Sequence, residues 1–158
     1  MPLDIRAVTP DDIPTVLRFI RELAEYEREP KAVVATEALI HAALFGGDRI
    51  AHGLIASLDG APVGFAIYFF NFSTWLGRPG LYLEDLYVTP ASRGAGVGRA
   101  LLSHLARIAL DKHCGRMEWA VLNWNEPAIR FYRALGARAQ EEWTVYRLTG
   151  KTLDDVGR

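Results

Sequence analysis

The stretch from Leu81 to Lys112 constrains this chain most. An apolar-rich run, Leu81–Val88, is followed by Arg93-Gly94-Ala95-Gly96-Val97-Gly98 and then by Leu101, Leu102, Leu105, Ile108 and Ala109 at helical spacing. The pattern predicts a strand, a glycine turn and an amphipathic helix over about Gly98–Lys112. Glycines let the backbone turn sharply and approach a ligand closely. The N–H groups and positive end of the helix then favour an anion such as a pyrophosphate, the alternative being a plain strand-to-helix turn. Two phosphate motifs fail here. A dinucleotide fingerprint needs a third glycine where Arg99 stands, and a Walker A loop needs Gly-Lys-Ser/Thr where the chain has Gly98-Arg99-Ala100.

The flanking sequence frames that unit. Ile5–Val8 reads as a strand, with Thr9 as N-cap, Pro10 opening a helix and Asp12 three residues after the cap. Ile13, Val16, Leu17, Ile20, Leu23 and Ala24 carry its apolar stripe. A shorter helix is expected over Thr36–Phe45, stopped by Gly46-Gly47. Ile50–Leu58 and Val63–Phe70 are strand-like and joined through Asp59-Gly60, a hairpin signal. Met117–Leu122 is expected to be a strand, Asn125 to cap a helix ended by Gly136, and Trp143–Leu148 to form a last strand. The order β-α-α-β-β-β-α-β-α-β is mixed α/β, without repeat or linker.

With 158 residues, one domain over 1–158 is expected. Eighteen basic against nineteen acidic residues give a formal charge of −1, which lacks the basic footprint of a nucleic-acid binder. The lone Cys114 permits no intrachain disulfide and fits a reducing compartment; it reads as a nucleophile or as a packed thiol near a helix end. The segment beginning Met-Pro-Leu-Asp carries no signal pattern, and the longest apolar run falls far short of the ~20 residues that span a bilayer. Cytoplasm is the expected location, with no membrane partner. His41, His52, His104 and His113 lack ligand spacing, so no metal is expected. Phe65, Tyr68, Phe69, Phe70 and Phe72 read mostly as core.

Arg93, Gly96 and Gly98 match R/Q-x-x-G-x-G/A, the signature of the GNAT superfamily of N-acetyltransferases, which the chain resembles. Leu81-Tyr82-Leu83-Glu84-Asp85, Trp124-Asn125-Glu126-Pro127 with Phe131-Tyr132, and Arg21-Glu22-Leu23-Ala24-Glu25-Tyr26-Glu27 resemble its diamine acetyltransferase branch, which acts on spermidine, spermine or thialysine. The resemblance is collinear from about Ile5 to Gly136. It implies the GNAT fold: a mixed central sheet with helices on both faces and a splayed pair of parallel strands, Leu81–Val88 and Met117–Leu122. It implies acetyl-CoA as cosubstrate. Backbone groups of Leu86, Tyr87 and Val88 would hold the pantetheine arm. Arg93 and the run Gly94, Ala95, Gly96, Val97, Gly98 and Arg99 would wrap the pyrophosphate, with Asn125 and Pro127 on the other side.

Acetyl transfer to an amine poses two proton problems. A lysine-like amine of pKa ~10.4 is neutral in only about one molecule in 2,500 at pH 7, a deficit of ~4.6 kcal/mol. The departing thiolate also gains if an acid protonates it. The resemblance makes Glu84 the candidate base, acting through a water, and Asp85 an anchor for a cationic substrate. Adjacent strand residues point to opposite faces, so the two share a site only if a bulge re-aims one. A structural carboxylate pair is the alternative. By resemblance Tyr132 is the proton donor, since a tyrosine of pKa ~10 is protonated at pH 7.

Tyr26 and Glu27 stand where the branch contacts substrate; a solvated helix end is the other reading. Ser73-Thr74-Trp75 resembles the thialysine-acetylating subgroup, because Ser73 replaces the acidic residue of the spermidine/spermine enzymes. Ser73 and Trp75 are therefore substrate-site candidates. The expected activity is acetylation of a small primary amine in a ternary complex. Its rivals are a protein N-acetyltransferase and a catalytically silent acetyl-CoA sensor. A homodimer is expected, as is general in the branch, with the apolar segment holding Trp143, Val145 and Tyr146 available to meet a partner.

Overall fold

A computed structural model of the chain describes residues 2–158; Met1, with which the segment lacking a signal pattern opens, lies outside them. The chain divides into two compact units, one ending at Ala120 and the other spanning Val121–Arg158.

In the first unit, β1 (Leu3–Ala7) runs into a 3-10 turn over Pro10–Asp12 and then α1 (Ile13–Tyr26). The expected capping box forms, because the Asp12 carboxylate accepts from the Thr9 N–H at 2.7 Å. The same carboxylate takes Arg6 at 2.7 Å, which ties β1 to the helix entry. In α2 (Glu37–Phe45) the Thr36 hydroxyl accepts from the Leu39 N–H, and the helix stops at Gly46. β2 (His52–Leu58) and β3 (Ala61–Ser73) form the hairpin at Asp59-Gly60. Both turn residues have positive φ, +50° and +83°, as a tight two-residue hairpin turn demands. β4 (Arg78–Val88), α3 (Val97–Asp111) and β5 (Arg116–Glu118) complete the unit.

The five strands lie in the order β1-β2-β3-β4-β5, all antiparallel except β4 with β5. The sheet is thus mixed, as expected. The Phe19 ring lies 5.6 Å from Phe65 and 5.7 Å from Tyr87, so α1 covers one face. A side chain at Gly64 would meet Val97, so α3 covers the other face. Val16, Phe19, Ile55 and Phe65 fill the first core; Leu81, Val97, Leu101 and Leu105 are equally buried on the α3 side. Phe72 is exposed near the end of the β3–β4 hairpin, contrary to its reading as core.

The second unit holds α4 (Glu126–Ala134) and α5 (Gly150–Val156). Three expectations need correction. The strand expected over Met117–Leu122 is the three-residue β5, so its parallel pairing ends early. Residues 143–148 are not a strand of the sheet formed by the described residues, and Val145 and Tyr146 are 86% and 92% exposed. The chain therefore ends on a helix rather than a strand. That helix, α5, follows Thr149 and precedes Gly157, both ordinary helix-boundary signals. No helix among the described residues is long and apolar enough to cross a membrane.

Candidate active site

The site begins with an irregularity in β4. Ile67 pairs with Asp85 and Tyr68 with Leu83, so Glu84 is an extra residue with no partner on β3. This is a β-bulge, and it switches the alternation of the strand. Before it, Leu81 and Leu83 face α3. After it, Asp85 and Tyr87 face α1, together with Ile67 and Phe65. In an unbroken strand Asp85 would share the apolar α3 face with the two leucines. The bulge thus meets the condition under which Glu84 and Asp85 can serve one site.

Asp85 is half-buried and Glu84 exposed. Burial first, then the negative charges of Glu84 and Glu27, push the Asp85 carboxyl up to about 6. Burial also raises the Glu27 carboxyl. The two carboxyls therefore lie close enough to repel one another near the end of α1. Such a pair favours a cation between them.

The end of α1 is braced from the strand side. The Tyr87 hydroxyl donates to Glu22 Oε1 at 2.8 Å, and Arg18 Nε lies 3.4 Å from Glu22 Oε2. Burial, with that bond to Glu22, pushes the Tyr87 hydroxyl up to about 12. The Arg93 guanidinium sits 5.1 Å from the Tyr26 ring centroid and 5.8 Å from that of Tyr87. Its Nε donates to the Val88 carbonyl at 3.1 Å. Arg18, Glu22 and Tyr26 follow one another at i, i+4 spacing, which is the signal that could have marked them as one helical stripe.

The glycine loop adjoins this face. Gly94 and Gly96 adopt φ of +86° and +82°, and nothing lies within 4 Å of where a side chain would begin at either. Gly96 is the N-cap of α3 and offers no side chain to its first N–H groups, whereas Thr36 and Asn125 cap α2 and α4. On the other edge of β4, β5 pairs only as far as Tyr82, so among the described residues Leu83 to Val88 have no ladder partner there.

The remaining candidates belong to the β3–β4 turn and to the second unit. Ser73 is buried where the β3–β4 hairpin turns, and its hydroxyl accepts from the Leu76 N–H at 3.2 Å. Trp75 in that turn is 83% exposed. In the second unit the Asn125 side chain accepts from the Ala128 N–H at 3.4 Å, with Pro127 in the first turn of α4. Tyr132 lies on α4, half-buried, its ring 5.6 Å from that of Phe131.

The sequence profile of the acetyltransferase (GNAT) family matches residues 16–137. The chain belongs to that family. It is 39% identical over 163 aligned residues to a thialysine N-epsilon-acetyltransferase of Bos taurus, covering 96% of this chain and 95% of the relative. It is 35% identical to spermidine/spermine N(1)-acetyltransferase-like protein 1 of Homo sapiens, covering 96% of this chain and 23% of that one. An integron cassette protein from the mobile metagenome of V. cholerae superposes with a TM-score of 0.83 at 29% identity, over 100% of this chain and 99% of that one. As a member of the GNAT family the protein is an acetyl-CoA-dependent N-acetyltransferase.

The family's cosubstrate can be tested against these residues. A pyrophosphate needs backbone donors that can be approached closely, and the uncapped start of α3 with its left-handed glycines supplies them. An arm bearing amides needs backbone partners in extended geometry, and the unpaired β4 edge supplies those. The residues fit.

Proposed function

We propose that this GNAT protein acetylates the primary amine of a small, lysine-like molecule, with both substrates bound together. The observation that carries this reading is the bulge at Glu84. It sets Asp85 and Tyr87 toward the end of α1, on a strand whose pairing with β5 ends at Tyr82.

Acetyl-CoA, when bound, supplies an acetyl group already activated as a thioester. The N–H groups from Gly94 to Arg99, with Arg93 at the head of the loop, hold the pyrophosphate. Backbone groups of Leu86, Tyr87 and Val88 hold the pantetheine arm, and the resemblance assigns Asn125 and Pro127 to the cofactor as well. Asp85, Glu27 and Tyr26 receive the substrate's ammonium group. Glu84, exposed and free of its strand partner, takes the amine proton through a water, and Tyr132 returns a proton to the departing sulfur.

Ser73 contributes by fixing the turn that carries Trp75, which lines the route of the substrate. With a serine there instead of a carboxylate, a long polycation finds one fewer anchor. Lysine-like amines are therefore preferred over spermidine and spermine, in line with the 39% identity to the thialysine enzyme. Measuring kcat/KM for thialysine, lysine, spermidine and spermine tests this; spermine ahead by tenfold or more would overturn it.

A reducing, cytoplasmic setting suits the lone cysteine. We also propose a homodimer, supported by the exposed Trp143, Val145, Tyr146, Leu148, Leu153 and Val156. Light scattering at micromolar concentration checks it, and a monomer would refute it.

A further inference from the structure

We infer that Arg93 is a positioning residue whose side chain couples the cofactor loop to the amine-binding end of α1, so that each substrate tightens the binding of the other. The inference rests on the proposed reading of Tyr26, Glu27 and Asp85 as the amine face.

Arg93 heads the glycine loop, yet its side chain turns back across the sheet edge. Its Nε–H is fixed by the Val88 carbonyl at 3.1 Å. Its guanidinium lies over Tyr26 of α1 and Tyr87 of β4 at 5.1 and 5.8 Å. Tyr87 is itself fixed by its bond to Glu22, one turn before Tyr26 on the same helix. One planar cation thus touches the strand holding Asp85, the helix end holding Tyr26 and Glu27, and the loop from Gly94. Arginine suits this post because it stacks on aromatic faces while donating from the edge of the same plane, which the point charge of lysine cannot do.

A ligand that orders the loop also orders Arg93, and Arg93 orders the ring of Tyr26. An ammonium held by the carboxylates of Glu27 and Asp85, against the edge of the Tyr26 ring, fixes that ring and hence Arg93 in reverse. Coupling of this kind is reciprocal by thermodynamic necessity. Mere adjacency of two sites does not require it.

The test measures the Kd of coenzyme A by calorimetry, alone and with saturating thialysine, so that the ratio reads the coupling. The parent protein should bind coenzyme A about five- to tenfold more tightly when the amine is present. Tyr26→Leu, measured with thialysine raised well above that variant's own Kd for it, should bring the ratio to about one. Tyr26→Phe keeps the ring and should keep the ratio, while Arg93→Lys should lose most of it. A parent ratio of one in an enzyme that turns over normally would overturn the coupling and leave the acetyltransferase reading intact. A wild-type ratio in Tyr26→Leu would do the same. Loss of both coenzyme A binding and turnover in the parent would overturn the reading on which the inference rests.

Discussion

Replacing Asp85 with asparagine should stabilise the protein at neutral pH while weakening its hold on cationic amines. Burial, Glu84 and Glu27 raise this carboxyl from 3.8 to about 6. The folded chain therefore binds the proton more tightly than the unfolded one. The stability this contributes is complete below 3.8 and is lost as the pH rises through about 6. Above pH 7 the ionised group carries its full penalty, roughly two pH units at ~1.36 kcal/mol each, or ~3 kcal/mol as an upper bound. At pH 4 the same linkage leaves only about 0.5 kcal/mol. Urea denaturation of parent and Asp85→Asn at pH 7.5 and pH 4 reads both values. Asp12 does not disturb the comparison. Its carboxyl is lowered from 3.8 to about 2, chiefly by the hydrogen bond from Arg6, so its contribution is present above 3.8 and lost as the pH falls through about 2, and both proteins share it. In activity, one charge-assisted contact to the ammonium is worth ~1.5–3 kcal/mol, so the amine KM should rise about 10- to 100-fold. A variant less stable than the parent at pH 7.5, or a gain equal at both pH values, would refute the electrostatic reasoning.

Glu84→Gln should be crippled at pH 7 yet recover substantially near pH 10, where the amine supplies its own neutral form; a uniform loss in the pH–rate profile would mean that Glu84 only orients or supports the strand. Tyr132→Phe should lower kcat by one to a few orders of magnitude and leave the Kd of acetyl-CoA nearly intact, and unchanged turnover would make Tyr132 a packing residue. Gly96→Val forces a β-branched residue to φ near +82°, at a cost of ~1–2 kcal/mol or more. The variant should remain folded at 25 °C but lose the rise in Tm that excess acetyl-CoA gives the parent by mass action.

Most elements of the first unit are legible as local chemistry. Thr9 with Asp12, Thr36 and Asp59-Gly60, and Asn125 in the second unit, each fix a boundary within a few residues of sequence, and a cap or a turn stands at each. The bulge is also written in the chain. Apolar residues fall at 81 and 83 and then at 86 and 88, and the phase break is centred on Glu84-Asp85. A reading by regular alternation passes over it, because two adjacent carboxylates look like ordinary polar positions. The strand expected over Trp143–Leu148 has suitable residues, but a strand needs a ladder partner, which no local pattern supplies. The direction of Arg93 is illegible for the same reason: Tyr26 and Tyr87 lie 67 and 6 residues away, and only the fold brings both rings to one guanidinium.

The central claim is that this chain moves an acetyl group from acetyl-CoA to a small amine. Steady-state release of coenzyme A, followed by a thiol reagent, tests it with thialysine, lysine, spermidine and peptides bearing a free N-terminus as acceptors. Release should be matched one-for-one by acetylated amine, fastest with thialysine or lysine and slow with every peptide. Acetyl-CoA binding without turnover on any acceptor would make the protein a silent sensor and contradict the account. Peptides outpacing every small amine would contradict it as well.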